Sequence, residues 1–425
     1  MRMSQLKRSL SWVQGTTFAI GAVLGSGILI LPAVTAEQYG PVSILAWIGM
    51  ALLSFPLAFT IGQLGAHYPH AGGITEYARL AFGSAFGRIT GWMFLGTIPI
   101  GVPIIALVGA HYVAAAFNLT AWVIPWISAI MLAGSLYLNL RGVNLAGWVQ
   151  TILLATITTL MLVSIFAAIP HLRMEAFHPF APHGWLAIGH SAVVIFWSFV
   201  GWEMVAHLAE EFRNPARDLK RTFVLAPLLV GILYVALSFV TIGTHAYGNT
   251  DRNIPLSLLV ETEFGKYGAK STDFIALLIT LVAIHGNITG FSRMLYAQAR
   301  SGDFPILFAT LHRKYMTPVT ALIALAIDFA IVLTLYSVFH LSLGTLIVWP
   351  STVFLVLYII TMGSALRLLH NIRLVRWSAF VSLVMCTGLL LFSGWLFIFP
   401  VALGSMGWLL GKKKVKEPLD HHRPI

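Results

Sequence analysis

Charge is scarce in this chain: Asp, Glu, Lys and Arg together make up 10% of 425 residues, while 58% are apolar. So little charge cannot clothe a water-soluble globule of this size, and the surroundings must be largely lipid. Cysteine is nearly absent. The sole one, Cys386, lies in an apolar run, so neither a disulfide framework nor a thiolate metal site is available. No Gly-x-x-x-x-Gly-Lys-Ser/Thr stretch occurs, and Gly21, Gly25 and Gly27 do not form a Gly-x-Gly-x-x-Gly fingerprint, so machinery for nucleotide-driven pumping is missing. A membrane enzyme would need His or acidic residues clustered near one face. The nearest grouping, Glu175, His178 and His183, falls in a connecting loop without a metal-ligand pattern. The reading is a non-enzyme with no metal and no cofactor.

What the chain has in abundance is apolar runs. A span needs roughly 20 apolar residues to cross about 30 Å of hydrocarbon. Stretches of that kind run at about Trp12–Thr35, Val42–Ala66, Arg88–Phe117, Trp122–Leu140, Val143–Ile169, Trp185–His207, Thr222–His245, Thr272–Gln298, Pro318–Phe339, Leu343–Leu366, Trp377–Leu391 and Trp395–Leu410. The expected fold is an all-α integral membrane protein of about twelve transmembrane helices, with residues 1–425 forming one domain. The first stretch follows Arg2, Lys7 and Arg8 but continues past Leu31 without a convincing cleavage site, so it reads as a retained span. The final pair, interrupted by Gly388, Gly394 and Pro400, reads either as a hairpin or as one long tilted span.

Charge placement separates these options. With the N-terminus in the cytoplasm, 22 of the 26 Lys and Arg residues fall on the inner side, leaving only Arg173, Arg252, Lys266 and Lys270 outside. Basic residues concentrate on the cytoplasmic side of membrane proteins. Lys412, Lys413, Lys414 and Lys416 join the inner set only if the number of spans is even, which favours twelve over eleven with both termini cytoplasmic. The net charge of +11 decorates helix ends without forming a continuous patch, which points to anionic lipid headgroups and away from nucleic acid. The expected location is a cell membrane, bacterial and cytoplasmic.

The functional signal lies in the first span, where Ile20-Gly21-Ala22-Val23-Leu24-Gly25-Ser26-Gly27-Ile28 interrupts an otherwise good helix. Glycine clusters permit local unwinding, and unwound backbone at membrane depth is tolerated only where it is buried in protein or lines a polar cavity. Amides opening the second half-helix suit an anion, and carbonyls ending the first half suit a cation, so a zwitterion satisfies both. The plainer alternative is that these glycines merely let helices pack closely. The sixth span adds Trp197-Ser198-Phe199-Val200-Gly201-Trp202-Glu203, placing a glycine, two tryptophans and a carboxylate at mid-membrane, five spans after the first break. That offset matches an inverted repeat of five plus five spans whose paired broken helices meet at a substrate site.

At these residues the chain resembles the amino acid–polyamine–organocation transporter superfamily over essentially its whole length. The resemblance rests on Gly25-Ser26-Gly27-Ile28 with Pro32, on Pro69-His70-Ala71-Gly72-Gly73 with Tyr77, on Trp197 to Glu203 followed by Glu210-Glu211-Phe212-Arg213-Asn214-Pro215, and on Ser292-Arg293 with Tyr296-Ala297 before Gly302-Asp303-Phe304-Pro305. Gly91-Trp92-Met93-Phe94-Leu95 followed by Ile98-Pro99-Ile100-Gly101-Val102-Pro103 is further similar to the small branch that exports methionine and branched-chain amino acids.

The resemblance implies alternating access, a LeuT-like five-plus-five repeat (about residues 12–169 and 185–366) and two extra spans (about 377–410). It places a substrate carboxylate on the amides of Ser26 and Gly27 beside Gly25 and Ile28, and the amino group against the carbonyls of Val23, Trp197 and Val200. Thr97, Ile98, Phe199, Gly201, Trp202 and Asn287 complete the implied pocket. Asn287 stands where an arginine-exchanging relative has a side-chain-stacking tryptophan, so an apolar substrate side chain fits better than a cationic one. The expected activity is export of methionine, leucine, isoleucine or valine as a secondary transporter or antiporter. The alternatives are a proton-coupled importer of amino acids or amines, a polyamine or arginine exchanger and, distantly, a polytopic membrane enzyme.

Glu203 is the coupling candidate, because an intramembrane carboxylate is costly and functional by default; its plainer reading is a neutral, hydrogen-bonded structural acid. Asp328, His111, His190 and His285 lack relay or ligand spacing and read as packing residues. Glu210 and Glu211 are expected in a solvated ion-pair network with Arg213, Arg217, Lys220 and Arg221 that shapes the inner gate. The lysine that some proton-coupled relatives carry in the fifth span has no counterpart between Val143 and Ile169. Thr289 and Ser292 could offer oxygen ligands to sodium, although helical hydroxyls more often bond their own backbone.

Overall fold

The computed structural model of the protein describes residues 8–24, 26–245, 247, 255–339, 341, 343–391 and 393–411. Lys412 to Lys414, on which the even span count leans, lie outside the described residues. The described chain is helical apart from loops and two isolated bridges, Leu10 with Phe212 and Leu311 with Pro318. The helices are α1 (Trp12–Val23), α2 (Ser26–Tyr39), α3 (Ser43–His67), α4 (Ile74–Phe82), α5 (Ser84–Phe94), α6 (Ile98–Ala116), α7 (Ile124–Arg141), α8 (Val143–Ala168), α9 (Ala187–Phe196), α10 (Trp202–Ala206), α11 (Pro215–Gly243), α12 (Pro255–Arg300), α13 (Val319–Phe339), α14 (Leu343–Leu368), α15 (Arg373–Leu391) and α16 (Ile398–Gly411). This is a multi-pass, all-helical membrane protein.

Local sequence explains the helix boundaries. Ser11 and Gln14 close a reciprocal capping box at the start of α1. Proline opens α6, α7 and α11, where its missing N–H has no helical partner to lose. Among the described residues, nine helices are long and apolar enough to cross a membrane, ten when the pair α1–α2, bent by 42°, counts as one span. α8 and α16 add apolar helices of 26 and 14 residues.

Packing sorts these helices into layers. α6 and α12 pack on each other and are buried on nearly all sides at the centre, with α1, α2, α7, α13 and α14 against one or both of them. α13 presents Ile323, Ile327, Ile331 and Leu335 outward at four-residue spacing, the stripe of a lipid-facing helix. Exposed Trp122, Trp126, Trp185, Trp377, Trp395 and Trp408 cluster near helix ends, as the aromatic belts of membrane proteins do.

Three features differ from the sequence reading. The third span is not one helix: α5 and α6 meet at a break around Leu95–Thr97, beside Pro99 and Gly101. Ahead of the eighth, whose apolar span at Lys270–Arg300 stands where expected, α12 carries a further helical segment from Pro255 that is set off by a non-helical turn at Gly265. The last two helices are separate but splayed, α15 packing on α14 and α3 while α16 packs on α5.

Candidate functional site

The two interrupted spans meet face to face at the centre of the bundle. α1 ends at Leu24, whose amide still bonds Ile20 O at 2.7 Å, and α2 departs at an angle of 42°. In the sixth span, α9 passes through a tight turn at Trp197–Phe199, and Gly201, at φ 127°, opens α10. The breaks are reciprocal. A Cβ on Gly27 would collide with the Ser198 hydroxyl and come within 3.1 Å of its Cα, and a Cβ on Gly201 would sit 2.7 Å from Ala22 O. Glycine is required at Gly201 twice over, by its positive φ and by the carbonyl it faces.

Between the breaks lies a cavity of about 30 Å³ lined by Ala22, Val23, Gly27, Thr97, Ile98, Gly101, Val102, Ile105, Trp197, Val200, Asn287 and Phe354. None of these residues is ionisable. Seven of the sequence-derived candidates are in that lining: Val23, Gly27, Thr97, Ile98, Trp197, Val200 and Asn287. Gly25 lies outside the described residues, as does the side chain of Ser26. The remainder are buried without lining the cavity. Ile28 is in the apolar core, Trp202 is fully buried, and Phe199 packs against Trp47 and Tyr234.

The end of α1 is braced by neutral donors from neighbouring helices. Tyr234 of α11 donates to Val23 O at 2.9 Å, and Asn287 of α12 donates to Ala22 O at 3.2 Å and to Ala283 O at 2.8 Å. Thr97 donates its hydroxyl to Phe94 O at 2.6 Å, bridging the break between α5 and α6. Gly101 faces the Trp197 indole, which a Cβ there would meet at 3.4 Å, an ordinary contact distance.

Glu203 is fully buried, two residues into α10. Its Oε2 accepts from the Gly201 amide at 3.2 Å and from the Tyr358 hydroxyl of α14 at 2.5 Å, while Oε1 has no partner among the described residues. The carboxyl group therefore holds the break of the sixth span and ties it to α14, whose Phe354, one turn earlier, lines the cavity. Neither Tyr358 nor Phe354 stood out in the sequence, where they are two aromatics in an apolar run; only the packing of α14 against the break marks them.

An ionic layer closes the bundle at the end that carries Arg8 and the α10–α11 junction. The partners differ from those expected. Glu211 pairs with Arg293 at 2.8 Å, both buried, and Glu210 pairs with Arg300 at 2.5 Å while accepting from the Ala71 amide at 3.0 Å. Both basic partners come from α12, because the turn at Ala209–Glu211 aims the carboxylates inward, away from Arg213, Arg217, Lys220 and Arg221. Burial pushes the Glu210 carboxyl up, but the Arg300 hydrogen bond and charge, the Ala71 amide and His70 outweigh it and leave its pKa below the ordinary value. Arg79 joins Glu76 to Asp303. The N-terminal segment lies across this layer, with the Ser9 and Leu10 amides both donating to Glu211 O at 2.9 Å and the Arg213 amide donating to Leu10 O at 2.9 Å.

The other polar residues are engaged locally. Thr289 donates to Asn139 Oδ1 at 2.6 Å and to His285 O at 2.7 Å, and Ser292 donates to Thr289 O at 3.0 Å. His285 Nδ1 is 3.1 Å from the Asn139 amide nitrogen, and His111 bonds Leu107 O one turn back at 2.8 Å. Asp328 leaves Oδ2 unpartnered among the described residues.

Comparison with known proteins matches residues 10–408 to the amino acid permease family. The chain is 45% identical over 421 residues to an uncharacterized amino acid permease, YecA, of Bacillus subtilis, covering 99% of each chain. It is 31% identical over 420 residues to the L-methionine/branched-chain amino acid exporter YjeH of Escherichia coli, covering 98% of this chain and 99% of the relative. Identity is 25% over 342 residues to the branched-chain amino acid permease BcaP of Bacillus subtilis, covering 74% and 72%. An interrupted first span facing an interrupted sixth, in a chain matched along nearly its whole length, has one consistent reading: the protein belongs to the amino acid permease family, a family of membrane transporters.

Proposed function

We propose that the protein exports apolar amino acids, methionine, leucine, isoleucine and valine, across the bacterial cytoplasmic membrane by alternating access. The observation that carries this reading is a cavity between two broken spans whose lining is neutral throughout. In such a site the charges of a zwitterion fall to the backbone at the breaks, and the side chain is left to Ile98, Val102, Ile105, Trp197 and Phe354. A cationic side chain would find no carboxylate there, which argues against arginine or polyamines. The similarity to YjeH supports the same substrate class and direction.

The first turn of α2 offers helix-terminal amides to the carboxylate, and the end of α1 with Trp197 and Val200 offers carbonyls to the ammonium group. About 30 Å³ holds only about two waters, so an amino acid enters when the helices around the breaks separate. The ionic layer at Glu210, Glu211, Arg293 and Arg300 keeps one end shut until then. We place that end in the cytoplasm, with both chain termini, in a twelve-span topology whose first ten form a five-plus-five repeat; the charge split and the five-span offset between the breaks support this. Glu203 is the group through which a proton would be coupled to the cycle, by exchange at a carboxyl that holds the sixth-span break.

Counterflow into proteoliposomes loaded with each of a panel of amino acids tests the reading without assuming direction or coupling. Methionine and the branched-chain amino acids should exchange faster than arginine or glutamate. Equal exchange of arginine would overturn the assigned substrate class.

A further inference from the structure

The cations at the α10–α11 junction divide into two groups with opposite surroundings. Arg293 and Arg300 are buried or half-buried and face Glu211 and Glu210. Arg8, Arg213, Arg217, Lys220 and Arg221 are exposed, and none has a carboxylate within 4.0 Å among the described residues. The nearby acids are already engaged: Glu210 and Glu211 by arginines, and Asp218, buried, by the Asn214 amide at 3.3 Å. Five positive charges are thus left facing outward together, because the bridge between Leu10 and Phe212 and the bond from Arg213 Nε to Ser9 O at 3.1 Å bring the N-terminal segment alongside α11.

The register of α11 shows what this group faces. Val224, Leu228 and Ile232 are exposed at four-residue spacing, the lipid-facing stripe of the helix. Counting back along that stripe by three, four and seven residues reaches Arg221, Lys220 and Arg217. The cations therefore continue the acyl-facing stripe by the one or two turns at which a bilayer changes from hydrocarbon to headgroup.

We propose that this junction is a binding site for an anionic phospholipid, whose headgroup phosphate is held by Arg217, Lys220 and Arg221, with Arg213 and Arg8 beside them, and whose acyl chains lie along Val224, Leu228 and Ile232. The site rests on the membrane-spanning reading alone and not on the substrate. A lipid seated there bridges α11 to the N-terminal segment that crosses the ionic layer, so it holds that end of the bundle closed.

The test is lipid retention by the full-length protein in detergent, measured by native mass spectrometry with phosphatidylglycerol against phosphatidylcholine. Wild type should retain phosphatidylglycerol preferentially. R217Q/R221Q should retain it about 30-fold more weakly, at roughly 1 kcal/mol for each basic residue near an anionic surface. R313Q/K314Q, which removes the same charge from exposed positions elsewhere, should match wild type, and equal thermal unfolding without lipid shows that all three proteins fold. No preference for phosphatidylglycerol, or equal loss in both variants, would overturn the site. Displacement by soluble glycerophosphoglycerol at the same concentration would also overturn it, showing a phosphate site without a lipid component. Retained counterflow alongside any of these results keeps the transport reading separate.

Discussion

The two interrupted spans are held open by different means. The end of α1 is braced from outside, by neutral donors on other helices: Tyr234 on Val23 O and Asn287 on Ala22 O. The break before α10 is held from within, by a positive φ at Gly201 and by the carboxyl of Glu203, which gathers the Gly201 amide and the Tyr358 hydroxyl onto one oxygen. The difference separates two tasks. A break braced by neutral groups brings no fixed charge into the cavity, which suits the substrate role proposed for it. A break pinned by an ionisable group has a geometry that depends on the protonation of that group, which is why we propose coupling there.

The contrast can be broken most severely at Gly201. Gly201→Val forces a side chain into a positive-φ position 2.7 Å from Ala22 O, and it should destabilise the protein by about 3 kcal/mol or more. The expected result is loss of folded yield and a sharply lower midpoint of thermal unfolding in detergent; a normal midpoint would mean that the sixth-span break needs no glycine.

Glu203→Ala should cost about 2 kcal/mol, because it leaves the buried Gly201 amide without its carboxyl acceptor. Glu203→Gln keeps an acceptor oxygen and should lose less than half as much. If the glutamine variant also makes counterflow insensitive to pH while preserving its rate, the carboxyl group serves coupling as well as geometry. If alanine and glutamine unfold alike, the clip is not what holds the break.

Gly27→Val sharpens the comparison from the other side. Its Cβ meets Ser198, so the substitution should cost about 1 to 2 kcal/mol through overpacking and should also abolish amino-acid binding in isothermal titration. Adding Ser198→Gly should return the unfolding midpoint towards wild type without returning binding, which separates packing from recognition. Recovery of both would make Gly27 a packing glycine only. The smallest effect is expected at Gly388, where an added Cβ meets nothing within 4 Å. Gly388→Val should change stability by no more than about 0.5 kcal/mol, with transport intact.

The sequence determined the class of molecule and where two of its spans are interrupted. Apolar runs of span length are a one-dimensional signal, because lipid leaves a chain with little charge few options but helices. The breaks between α1 and α2 and at Gly201 were legible because glycine clusters are unusual at membrane depth, and Val23, Gly27, Trp197, Val200 and Asn287 all line the cavity. Only the tertiary structure decided which helices supply the rest. Phe354 and Tyr358 carry no local mark, since an aromatic residue in an apolar span is ordinary until another helix is seen to lie against it. The same holds for the ion pairs. Sequence proximity set Glu210 and Glu211 beside Arg213 and Arg217, whereas the turn after α10 points both carboxylates inward to arginines more than eighty residues away. Charges choose partners by distance through space, and in a bundle of helices that distance is set by packing, which the order of residues along the chain does not record.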